Sequence, residues 1–75
     1  MDRAELLKRL EQVEQQVQHT TEHTERQRKI LIELRARGVV IDDGAQLMLA
    51  RLENLLIRHL QERDNLRVKL ATSNR

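Results

Sequence analysis

Arg35-Ala36-Arg37-Gly38-Val39-Val40-Ile41-Asp42-Asp43 is the stretch where one helical pattern stops and a second begins. Arg35 and Arg37 suit the negative end of a helix dipole, and Gly38 suits the left-handed residue that follows a helix C-terminus. Asp42 or Asp43 then supplies an N-cap, with Gln46 three residues beyond Asp43. Val39, Val40 and Ile41 are too apolar for a fully solvated linker, so at least one of them is expected to fold under the end of a helix pair.

Reading outward toward the N-terminus, no Gly or Pro interrupts the chain from Met1 to Arg37. Asp2 with Glu5 three residues later resembles a capping box, and Met1 is placed to pack on Leu6 as a staple. Leu6, Leu10, Val13, Val17, Thr20, Thr24, Gln27, Leu31 and Leu34 succeed each other at alternating spacings of four and three, which is the seam of a coiled coil. Outside it, Glu5 and Arg9, Glu22 and Arg26, Glu25 and Lys29, and Glu33 and Arg37 are acid-first pairs one turn apart, each contributing a few tenths of a kcal/mol to a helix.

On the other side of the turn, Leu49, Leu52, Leu56, Leu66 and Leu70 form a second seam, with His59 and Arg63 at intermediate seam positions. Met48, Leu55 and Leu60 flank it and widen the apolar face beyond what a two-stranded coil uses. Thr72-Ser73-Asn74-Arg75 lacks apolar anchors and is expected to fray. The expected organisation is one all-α domain over residues 1–75, with helix 1 at about 2–37, a loop at about 38–43, helix 2 at about 44–71 and a loose tail at 72–75. A connection of about six residues between long helices gives an antiparallel hairpin.

Composition agrees with long helices packed on aliphatic seams: the 75 residues include no proline, aromatic residue or cysteine, and 35% are charged. Disulfides and thiolate metal sites are thereby excluded. The longest apolar run, Leu47-Met48-Leu49-Ala50, is far short of the roughly 20 residues needed to span a bilayer. No apolar leader follows the charged start, so a cytoplasmic location is expected and no membrane partner is.

Folding the hairpin about Ile41 sets Leu34 near Met48, Thr24 near His59, Val17 near Leu66 and Val13 near Leu70. In that register Leu6, Leu7 and Leu10 project past helix 2 with nothing to cover them, and burying a leucine is worth roughly 1.5–3 kcal/mol. The remedy expected is a second copy. The chain is therefore expected to pair into a homodimeric four-helix bundle, with Leu6, Leu7, Leu10, Met48, Leu55 and Leu60 at the subunit interface.

Thr20, Thr24, Gln27, His59 and Arg63 place polar groups where seams are normally apolar. Their expected role is register control, since slipped pairings would leave such groups buried and unsatisfied. The competing role is a ligand or ion site inside the bundle. His19 and His23, one turn apart, are a weak metal-chelating pair, with Glu22 or a histidine from another subunit to complete the shell, against the plainer reading of solvated histidines. Arg26, Arg28, Lys29, Arg35 and Arg37, with Arg51 and Arg58 across the hairpin, form a basic cluster that could contact nucleic acid. A net charge of +2 and the lack of aromatic residues for base stacking speak against that role.

There is no nucleophile with an adjacent base and no glycine-rich phosphate loop, so no catalysis and no cofactor are expected. The sequence reads as a non-catalytic helical interaction module that acts through self-association and binding of another protein's helix. The alternative is a nucleic-acid-binding accessory protein that uses the helix 1 arginines.

Overall fold

The computed structural model describes residues 2–73. Two helices, α1 (Arg3–Ala36) and α2 (Asp43–Thr72), pack against each other along their lengths, forming a rod of 58 × 16 × 14 Å. No strand occurs among the described residues.

Each helix end is fixed by local chemistry. Asp2 Oδ1 accepts from the Glu5 amide at 2.8 Å, which satisfies one of the open donors at the start of α1. The staple expected of Met1 lies outside the described residues. At the other end Gly38 takes φ 77°, its amide donates to the Arg35 carbonyl, and the Val39 amide donates to the Leu34 carbonyl, both at 3.0 Å. Those two bonds make a Schellman motif, and they turn the chain sharply away from α1. Asp42, not Asp43, caps α2, accepting from the Ala45 amide at 2.8 Å. Ile41 is half-buried while Val40 is 93% exposed, so the isoleucine is the residue of the turn that folds inward.

The turn is symmetric about the Val39–Val40 bond and not about Ile41, because α1 ends at Ala36 and α2 already starts at Asp43. This moves the two helices past each other by about one turn, roughly 5 Å, relative to the register expected from the sequence. His59 consequently meets Thr20 and not Thr24. It also corrects the expectation that the N-terminal leucines lie bare: Leu6 is only 4% exposed and packs with Val13, Leu66 and Leu70, while Leu10 and Val17 are half-buried against the same cluster. Leu7 alone of the three stays largely in solvent.

α2 is also longer than expected, since Thr72 is helical. The Thr72 hydroxyl donates to the Lys69 carbonyl and the Ser73 hydroxyl to the Leu70 carbonyl, both at 2.9 Å, satisfying acceptors that a bare helix end leaves open. Leu70 is buried beside them. Asn74 and Arg75 lie outside the described residues.

In heptad terms the seam a positions are Leu10, Val17, Thr24 and Leu31 in α1 and Leu49, Leu56, Arg63 and Leu70 in α2. The d positions are Leu6, Val13, Thr20, Gln27 and Leu34, facing Ala45, Leu52, His59 and Leu66. An antiparallel pair brings e positions together on one flank and g positions on the other. The cross-helix ion pairs obey this rule. Arg67–Glu14 at 3.5 Å and Arg28–Glu53 at 3.6 Å join e to e, and the Arg9 guanidinium donates to Glu62 at 3.0 Å from g to g.

Candidate functional site

The polar layer in the middle of the seam is closed in on itself. Thr24, 1% exposed, donates its hydroxyl to the Thr20 carbonyl one turn earlier at 2.7 Å, so it needs nothing from α2. Thr20 is also buried, and its Oγ1 lies 3.3 Å from His59 Nδ1, with the donor set by the imidazole tautomer. Gln27 is half-buried. Arg63 does not join the layer: its Nε and Nη2 both donate to Asp64, its sequence neighbour, at 3.1 and 3.0 Å. Among the described residues no buried side-chain nitrogen or oxygen lacks a partner. The Thr20–His59 contact across the pair and the Thr24 bond to its own helix give the layer the chemistry of a register pin.

The histidine pair gains no further ligand. His19 is exposed and His23 half-buried, and among the described residues no group of three or more His, Cys, Asp or Glu side chains could hold a metal ion. The basic cluster is divided by the helix. Arg28 and Arg35 occupy e positions, where Arg28 is paired with Glu53, whereas Arg26 and Arg37 face the opposite flank. Arg26 and Lys29 share a shallow surface depression with Glu22 and Glu25, so part of their charge is balanced on the spot. The acid-first pairs along α1 do not close into ion pairs among the described residues, and Arg9 reaches Glu62 on α2 in preference to Glu5.

The two flanks of the seam differ in kind. The e flank carries the Arg67–Glu14 and Arg28–Glu53 pairs along most of its length. On the g flank the Arg9–Glu62 pair closes only the end far from the turn. Toward the turn the g positions are His23, Ile30 and Arg37 on α1 and Met48 and Leu55 on α2: Ile30 and Met48 are each 46% exposed, His23 and Leu55 are half-buried, and Arg37 is exposed. By heptad position the half-buried seam residues Leu34 and Leu52 lie beneath them, giving an aliphatic strip about 15 Å long by helical rise, with His23 beside it at the level of Leu55. Leu60, expected to join Met48 and Leu55, is half-buried on the e flank instead. Ile32, Leu47, Ile57 and Val68 are exposed outside both flanks and are scattered along the rod, as single apolar residues on surfaces commonly are.

The strip has charged lips. Beside the g positions come the c positions, which hold Arg26 and Glu33 on α1 and Arg51 and Arg58 on α2, and all four side chains are exposed. Arg37 ends the row on α1, also exposed. Counting basic residues along the sequence hides this arrangement, whereas sorting them by heptad position exposes it. Ile30 was missed for a related reason: it stands off the α1 seam and matters only because Met48 comes beside it across the pair.

No protein-family model, no curated protein and no solved structure matches this chain.

Proposed function

We propose that the chain is a non-catalytic helical interaction module that acts through its turn-proximal g flank, joining helices across chains, with a homodimeric four-helix bundle as its self-associated form. The observation that supports this reading is the uncovered strip of Ile30, Met48 and Leu55 beside a seam whose other flank is closed by ion pairs. Leu6 is buried and Leu10 half-buried within their own chain, so neither belongs to this surface. A third or fourth helix laid on the strip would complete the burial of Leu34 and Leu52 as well, in the manner of helical bundles.

Magnitudes set the character of the association. Hiding the exposed remainder of Ile30, Met48 and Leu55 contributes on the order of 1 kcal/mol each. Bringing two bodies together costs at least about 4 kcal/mol, so complexes are weak and reversible. Two copies closing flank on flank also set Arg26, Arg51 and Arg58 of one against those of the other. Self-association is therefore strongest where salt screens these charges.

Sedimentation equilibrium in about 0.5 M salt, where the screening length is only a few ångströms, tests this reading. The mass should rise from 8.9 kDa toward twice that value as concentration increases. Met48→Glu should hold the mass at the monomer value with helicity unchanged. A wild-type mass that stays at 8.9 kDa up to millimolar chain would remove the self-associated form.

A further inference from the structure

We infer that the preferred occupant of the g flank is a short acidic amphipathic helix from another protein, laid between an α2 lip that carries Arg51 and Arg58 and an α1 lip on which Arg26 and Arg37 outnumber Glu33. The inference rests on the g flank being a helix-docking surface, as proposed above, and adds the partner's chemistry. Within the strip's length one lip carries Arg26 and the other Arg51 and Arg58, with Arg37 at the turn end. Glu33 is the acid among those c positions, and Glu62, at the far edge, is already bonded to Arg9.

The opposite side of the rod has the reverse balance. Its e and b positions over the same length carry Glu25, Asp43 and Glu53 beside Arg28 and Arg35, and Arg28 is paired with Glu53. The modest net charge of +2 thus hides a segregation of sign between two faces: Ile32 and Ile57 are exposed singly on the other face, and the basic one is the face where exposed aliphatics adjoin the seam. Complementary charge at a rim decides which partner docks more than how tightly it does so.

A second copy presents the same arginines and is repelled at low salt. A nucleic acid would use the arginines but leave Ile30, Met48 and Leu55 unburied, and the chain has no aromatic residue on which bases could stack. An amphipathic helix with leucines at successive i, i+3, i+4 and i+7 positions fills the strip, and glutamates beside them reach the guanidinium groups on each lip. About three turns suffice for a strip of this length. Helices that short are only marginally formed alone, so the partner segment orders as it binds.

The probes are two synthetic peptides with one leucine pattern, one flanked by Glu and its twin flanked by Lys, followed by fluorescence anisotropy with the full chain. At low salt the acidic peptide should bind about tenfold tighter than the lysine twin, the gap expected of several exposed ion pairs. The gap should close in high salt. Arg51→Glu combined with Arg58→Glu should reverse the preference, with circular dichroism confirming an intact hairpin. Met48→Glu should abolish binding of the acidic peptide. Equal binding of both peptides, abolished by Met48→Glu, would overturn the acidic partner while leaving the docking surface in place. Binding of neither would overturn both. Single-stranded RNA binding that is tighter than the acidic peptide and indifferent to Met48→Glu would overturn them in favour of a nucleic-acid face.

Discussion

Thr20 Oγ1 and His59 Nδ1 lie 3.3 Å apart across the seam, and this contact marks the register of the hairpin. Shifting α2 by one turn would break it: in one direction His59 comes to Val17, and in the other to Thr24, whose hydroxyl already donates to the Thr20 carbonyl. Cross-helix polar contacts of this kind lower the stability of a seam but penalise its alternatives. Replacing either partner alone, by Thr20→Val or His59→Leu, should destabilise the hairpin by about 1–3 kcal/mol. The double variant should recover most of that loss, because no unpaired group remains. Urea unfolding of the four proteins gives the coupling, and an additive result would show that the pair is not a unit.

Leu6 and Leu70 belong to the intramolecular core, and their loss should be felt by the single chain. Leu6→Ala or Leu70→Ala should cost about 2–5 kcal/mol. That cost should be the same at low and high protein concentration. Leu7→Ala should stay within about 0.5 kcal/mol of wild type at low concentration, as exposed positions usually do. A penalty for Leu6→Ala that grows with concentration would place its cover on a second molecule.

Gly38 and Gly44 should respond to alanine in opposite directions. At Gly38 an added Cβ meets nothing within 4 Å, so the whole effect comes from φ 77°, and Gly38→Ala should lower stability by about 1–2 kcal/mol. Gly44 sits in the first turn of α2, where a Cβ would make an ordinary 3.4 Å contact with Asp42 Oδ1. Gly44→Ala should raise stability by up to about 1 kcal/mol through helix propensity. Thermal unfolding of the two variants checks both signs.

Asp42 and Asp43 are adjacent acids with different work. Asp42→Ala removes the acceptor of the Ala45 amide and should cost about 1 kcal/mol. Asp43→Ala removes only a charge from the first turn and should cost less than Asp42→Ala, toward the low end of the roughly 0.3–1 kcal/mol of the dipole interaction. Equal losses would mean that charge, not the hydrogen bond, holds that end of α2.

The hairpin itself was legible because its signals are local: Gly38 ends one helix, Asp42 begins the next, and seams at alternating spacings of four and three need no tertiary information. The register was not, because it depends on where a turn of about six residues finds its centre. Ile41 is apolar and folds inward, which made it look like the pivot, yet the Schellman bonds of Gly38 and Val39 turn the chain two residues earlier. That single displacement covers Leu6 and Leu10 and pairs Thr20 with His59. The candidate surface was half legible. Met48 and Leu55 stand out as seam-flanking residues, but Ile30 and the lips formed by Arg26, Arg51 and Arg58 become one surface only when both helices are placed side by side.

Methyl NMR on chain labelled at Ile, Leu, Val and Met tests the docking surface most directly, using the acidic amphipathic peptide as titrant. Ile30, Met48 and Leu55 methyls should shift together and saturate together, while Ile32, Ile57 and Val68 hold their positions. Shifts centred on Ile32, Ile57 or Val68, or spread evenly over the rod, would contradict a g-flank site.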